Sequence, residues 1–224
     1  MSFQPAKLLR GLALVILAVA WALLAHLGSA GSGNPDFSAA LATAPLVVLV
    51  VILLWRVGNP LWIAVGGLGV LGLLAWAWPA LRDNVPLLFY IQHLGTNLAL
   101  AALFGRSLLG GHEALITQVA KVACGGRISP AKTRYTRQVT VAWTLFFVAN
   151  AGISSLLFGL APPFAWSVFA NILSLPLLVL MFAAEHITRH HVLPPEDRSS
   201  IADTIHGYRS AMAQRRRDAL ARHS

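Results

Sequence analysis

The chain has 224 residues, of which 57% are apolar and only 11% charged, and its mean hydropathy is +0.68. Such a composition excludes an ordinary soluble domain and predicts an all-α, polytopic integral membrane protein. The net charge of +9 is no nucleic-acid signal, because the basic residues gather beside apolar stretches, where anionic lipid and topology account for them.

Six apolar stretches approach the roughly 20 residues that a helix needs to cross the hydrocarbon layer. They run over about 8–27, 41–55, 61–81, 85–104, 139–160 and 164–184. Lys7 and Arg10 precede the first, and Gly28-Ser29-Ala30 follows it, as in a cleaved signal peptide. Its length and the five spans beyond it predict a retained helix instead.

The fourth stretch, FYIQHLGTNLAL, carries the most polar residues at membrane depth. Tyr90, His93 and Asn97 share one helical stripe, with Gln92 and Thr96 adjacent. Asn150 on the fifth stretch, and Asn171 with Ser174 on the sixth, fall at similar depth. Unsatisfied polar groups in hydrocarbon are costly, so the three helices are expected to share a polar seam. It serves either as interhelical glue or as a headgroup or proton site centred on His93, whose charge switches near neutral pH. Ala151, Ser155 and Gly159 form a small-residue stripe that predicts close packing on the fifth helix.

Between the fourth and fifth spans, the connection 105–138 contains a helical pattern over 112–124. Leu115, Ile116, Val119, Val122 and Ala123 share one face, opposite Glu113, Thr117 and Lys121. This predicts a short amphipathic helix lying on the membrane surface. Gly125-Gly126 and Pro130 then predict a turn before the fifth span. The one cysteine, Cys124, permits no disulfide within the chain, and no base beside it suggests catalysis.

Lysine and arginine near helix ends are retained on the cytoplasmic side. With both termini inside, every basic residue but Arg82 falls there. A transmembrane domain over 1–184 is therefore followed by a basic cytoplasmic tail over 185–224. Pro194-Pro195 should end the sixth helix, and Ser200 with Asp203 could cap another, in which Ile201, Ile205, Tyr208 and Met212 share a face. Arg106, Lys121, Arg127, Lys132, Arg134, Arg137, Arg189, Arg215, Arg216 and Arg217 make up the expected cytoplasmic basic surface.

The string EHITRHH, residues 185–191, resembles one histidine box of the membrane-bound desaturases and hydroxylases. A di-iron centre needs about eight ligands from several boxes, whereas His26, His93, His112, His206 and His223 are scattered. No metal and no cofactor is expected. EHITRHH reads instead as a cationic collar, with Glu185 pairing to Arg189 at i, i+4.

YIQHLGTNLALAALFGRSL, SPAKTRYTRQVTVAWTLFFVAN and WSVFANILSLPLLVLMFAAEHITRHHVLP together resemble an uncharacterised bacterial inner-membrane family. Its genes commonly lie among those for aryl polyene (xanthomonadin-type) pigment synthesis. The resemblance covers about residues 90–194 and implies a setting of membrane-associated acyl-chain synthesis, but no catalytic residue. Arg137, Trp143, Phe146-Phe147, Trp166 and Phe169 are also similar in order to the intracellular septation protein family.

The sequence therefore predicts a non-catalytic accessory protein of acyl-chain lipid synthesis or export, partnered by membrane lipid and by an acyl carrier protein or other pathway enzymes. The alternative is a small enzyme or transporter that uses the seam. The spans contain no Asp or Glu, no H-x-x-x-x-D acyltransferase motif and no nucleotide-binding loop, which favours the first.

Overall fold

The computed structural model describes residues 5–124, 126 and 128–197. Eight α-helices are present among them: α1 (Pro5–Ser29), α2 (Pro35–Val57), α3 (Pro60–Asp83), α4 (Val85–Arg106), α5 (Leu115–Ala123), α6 (Pro130–Leu160), α7 (Pro163–Ser167) and α8 (Ser174–Val192). A π-helical segment, Val168–Leu173, joins α7 to α8, and a 3-10 turn, Pro195–Asp197, follows. The described residues contain no strand. The protein is all-α and polytopic. Five helical stretches are long and apolar enough to cross a membrane: Pro35–Arg56, Pro60–Asp83, Val85–Arg106, Pro130–Leu160 and Pro163–Val192. The apolar part described for α1 is Val15–Ser29.

Local chemistry sets the helix ends. Asn34 and Asn59 each stand before a proline and accept backbone N–H groups of the first turn, Asn34 from Asp36 at 2.9 Å and Phe37 at 3.1 Å, Asn59 from Leu61 at 3.0 Å. Side-chain capping with proline at the first helical position is a strong start signal, so α2 begins six residues before the apolar run expected from hydropathy. Gly58, at φ +72°, lets the chain leave α2 and re-enter α3 without Cβ strain.

Two compact units are present. The first gathers the described residues up to Gly95 together with Gly152–Pro176. Its core sets Ala25, Ala39, Ala42 and Ala170 against Val85, Phe89 and Trp166. Small residues let helices approach closely where the solvent is itself apolar. Gly28 shows how closely: a Cβ there would lie 2.8 Å from Ser38 Oγ and 2.9 Å from Ser38 Cβ. Gly28→Ala is therefore expected to cost about 1–3 kcal/mol, whereas Gly67→Ala, with open space around it, should cost nothing measurable; detergent melting curves of the two variants provide the check.

The second unit comprises Thr96–Ala151 with the described residues from Leu177 on. Ala101, Tyr135, Val139, Trp143, Phe147 and Leu193 form its core. Trp143 stacks edge-on against Phe182 and Phe146 and lies beside Phe104 and Phe147.

Four expectations are corrected. Pro130 opens α6 rather than breaking the chain before it, because Ser129 Oγ accepts the Lys132 amide at 3.0 Å and caps the helix. The resulting 31-residue helix is about 46 Å long, well beyond the hydrocarbon thickness. Thr117 does not line the outer face of α5. It is 2% exposed and bonds Thr136 Oγ1 at 2.8 Å, while Val119 and Val122 face outward. Cross-helix hydroxyls fix this rotation: Ala114 offers no side-chain cap, so Ser107 Oγ accepts the Leu115 amide and Thr140 Oγ1 the Ile116 amide.

Third, the sixth span is not a regular helix. Pro176 has no amide to give the Ile172 carbonyl, and the turn before it widens into the π segment. Fourth, Gly159 is exposed with open space beside it, so the small-residue stripe packs only through Ala151 and Ser155. Beyond Pro194, α8 has ended as expected. The capped helix expected from Ser200 lies outside the described residues, as do Arg127, Arg215, Arg216 and Arg217.

Candidate functional site

In the first unit the expected seam resolves into a relay of hydroxyls. Trp166 Nε1 donates to Ser154 Oγ at 3.0 Å. His93 Nδ1 lies 3.0 Å from the same oxygen, and His93 Nε2 lies 3.1 Å from Ser174 Oγ. Ser174 in turn donates to the Ala170 carbonyl at 2.8 Å. Every proton in this chain has an acceptor if His93 is neutral and carries its proton on Nε2. Tyr90 donates to Ser155 Oγ at 3.0 Å and stacks on Phe158, and Gln92 donates to the Ala42 carbonyl of α2.

Asn171 turns away from that relay. Its amide donates to Ser29 Oγ at 2.8 Å and to Ser167 Oγ at 3.3 Å. Ser29, Ser167 and His26 complete the cluster, with Ser29 Oγ 2.7 Å and His26 Nδ1 2.6 Å from Ser167 Oγ. Of the small residues that resemble a cleavage motif, Gly28 and Ser29 are thus the buried end of α1, and Ser29 holds it to α7 and the π segment. His26, Ser29, Ser154 and Ser167 were not expected in the seam; a polar pair in the last turn of an apolar stretch was the signal available.

Thr96, Asn97 and Asn150 belong to the second unit. Thr96 is exposed, and Asn150 donates to Phe146 O of its own helix at 2.9 Å. Among the described residues, no buried side-chain nitrogen or oxygen lacks a partner. Such mutual satisfaction is what packing glue requires. His93→Ala is expected to cost only about 1 kcal/mol, since Ser154 and Ser174 keep other partners and interhelical bonds average about 0.6 kcal/mol; unfolding in mixed micelles measures it.

The second unit holds a cavity of about 180 Å³ where the first turns of α6 meet the last turns of α8. Lys132 and Arg189 bring positive charge to its wall, Glu185 and Asp197 negative charge, and Ile116 and Val119 an apolar side. The expected Glu185–Arg189 pair is present: Arg189 Nη2 donates to both carboxylate oxygens at 2.7 Å, and Nε to one at 3.0 Å. Tyr135 adds its hydroxyl to Glu185 Oε1 at 3.0 Å.

Lys132 is corrected from surface to interior, at 6% exposure. The cap at Ser129 starts the helix early enough to turn it inward, with Nζ 3.3 Å from Cys124 Sγ. Ser129 also donates to Asp197 Oδ2 at 2.6 Å, which draws the 3-10 turn over the cavity. The remaining basic residues divide by exposure. Lys121 pairs with Glu113, while Arg106, Arg134 and Arg137 are exposed.

The histidine box is open on its helix. The rings of His186 and His190 lie 4.4 Å apart, tilted by 50°, and His190 Nδ1 lies 2.8 Å from the His186 carbonyl. Among the described residues no three His, Cys, Asp or Glu side chains are grouped to hold a metal ion. Arginine, tyrosine and carboxylate in one cavity instead offer recognition of a polar group by charge and hydrogen bonds.

No protein-family model, curated protein or solved structure matches the chain.

Proposed function

We propose that the protein is a non-catalytic accessory protein of the bacterial inner membrane, serving the synthesis or export of acyl-chain lipids of the aryl polyene type. The observation that carries this reading is the exposed arginine set at the polar ends of membrane helices, Arg106 on α4 and Arg134 and Arg137 on α6. Retention of positive charge on the cytoplasmic side puts these residues where soluble pathway enzymes arrive. An acyl carrier protein is acidic, and a basic patch steers such a partner by its field. The intramembrane polar residues support the same reading, since His93, Tyr90, Gln92 and Asn171 bond to neighbouring helices. A transporter acting through His93 would have to break bonds that now hold the helices.

The test is the pigment and acyl-lipid content of separated inner and outer membranes from a strain lacking the gene, read by absorbance and mass spectrometry against a complemented control. Loss of pigment, or an acyl intermediate stalled in the inner membrane, is the expected result. Detergent-solubilised protein should also retain the acyl carrier protein and lose it in the Arg106→Glu, Arg134→Glu, Arg137→Glu variant. Extracts identical to the parent's would end the pathway link and leave the septation-like similarity as the better lead.

A further inference from the structure

We infer that the cavity between α6 and α8 is a binding site for the phosphoethanolamine headgroup of a zwitterionic phospholipid, with Lys132 and Arg189 taking the phosphate and Glu185 and Asp197 the ammonium. The inference does not depend on the acyl-lipid pathway; it needs only the spanning helices and the cavity itself.

Charge balance selects the class of ligand. Two cationic and two carboxylate side chains line the one cavity. The two signs already balance, with Glu185 paired to Arg189, so an ion of either net charge brought into the partly desolvated cavity adds a charge with no counter-charge there, at a cost of several kcal/mol. A zwitterion adds no net charge and offers each wall its complement. A divalent cation fits poorly, because it would add two uncompensated charges to a wall whose own charges already balance.

Size and place select the part of the lipid. At about 180 Å³ the cavity is smaller than the roughly 300–1,000 Å³ that holds a whole small molecule. It admits a headgroup and leaves acyl chains outside. Its walls come from the ends of spanning helices, the level at which headgroups lie. On the α5 side, Val119 lines the cavity and is 47% exposed, and Val122 beside it is 46% exposed, an apolar track on which a chain can lie. The outward rotation of these valines, imposed by the Thr117–Thr136 bond, is what makes that track.

The test uses the full-length protein in detergent with phosphatidylethanolamine, phosphatidylcholine or phosphatidylglycerol added. Two readouts apply: retained lipid by native mass spectrometry, and the rate of maleimide labelling at Cys124, the chain's one cysteine, whose sulfur touches Lys132. Phosphatidylethanolamine should be retained at one per chain, slow the labelling and raise the melting temperature. Phosphatidylglycerol should do none of these. Lys132→Met and Asp197→Asn should each lose retention. Because Lys132 is buried, Val119→Trp supplies a variant that blocks the cavity from its exposed lip without removing a charge, and it too should lose retention while melting like the parent. Equal retention of phosphatidylglycerol, or unchanged retention in Val119→Trp, overturns the site. Protection of Cys124 by soluble glycerophosphoethanolamine as strong as that by the lipid overturns the lipid as its occupant.

Discussion

Trp166→Ala should be among the most damaging single substitutions in the first unit, lowering the unfolding free energy by about 3 kcal/mol or more. The side chain is 0% exposed. It sits edge-on to Phe158 at 5.4 Å and to Tyr90 at 6.2 Å, and it gives its indole N–H to Ser154. In a membrane the surroundings are as apolar as the core, so the loss comes less from transfer than from the void: contacts on every side of a large ring disappear at once. Ser154 would also lose the donor that orders the His93 relay. Trp166→Phe keeps most of the volume and gives up the N–H, so its cost should be about 1 kcal/mol. Far-UV circular dichroism during unfolding in dodecyl sulfate mixed micelles separates the cases. An alanine variant as stable as the phenylalanine one would mean that the void is filled by neighbouring helices and that the core is less tightly packed than its contacts imply.

The membrane character and five of the six spans were legible because they rest on composition and on the length of apolar runs, signals that tertiary contacts do not alter. Helix ends were less legible where capping and hydropathy disagree. Asn34-Pro35 and Ser129-Pro130 start helices in polar sequence, and a reading by hydropathy alone placed the starts six and nine residues later. The seam was half legible. Tyr90, His93 and Ser174 do lie among polar partners, but serine is common in membrane helices, and nothing in the one-dimensional pattern distinguishes Ser154 or Ser167 from a lipid-facing serine. Asn171 could not be assigned to α1 from spacing, because the π segment that carries it shifts the helical phase. The cavity escaped for a different reason. Its charges come from residues 132, 185, 189 and 197; the sequence offered the first three as surface or interface chemistry and nothing in its pattern singled out Asp197, and only the cap at Ser129 turns Lys132 inward. The Glu185–Arg189 pair was readable because an i, i+4 spacing is a property of one helix.

Glu185→Ala should cost about 3 kcal/mol, a figure set by the loss of the carboxylate that compensates a partly buried guanidinium. The side chains of Arg189 and Glu185 are 21% and 11% exposed, and three hydrogen bonds of 2.7–3.0 Å join them. Removing the carboxylate takes three hydrogen bonds from a partly buried cation and leaves the Tyr135 hydroxyl with the Glu185 backbone carbonyl, at 3.0 Å. Removing both charges tests whether the loss belongs to the pair or to the guanidinium left uncompensated by Glu185. Glu185→Leu with Arg189→Leu should recover to within about 1 kcal/mol of the parent, since a buried pair gains little over apolar residues of similar size. The half-exposed pair of Arg82 and Asp36, 3.7 Å apart, is the internal control: breaking it should change stability by less than about 1 kcal/mol, and salt should erase even that. Added salt should leave most of the Glu185→Ala deficit in place, because charges as little exposed as these are screened far less than surface ones. A deficit that salt abolishes, or a double variant no better than Glu185→Ala, would show that the pair is solvated and that the cavity wall is held by Tyr135 and the Ser129–Asp197 bond instead.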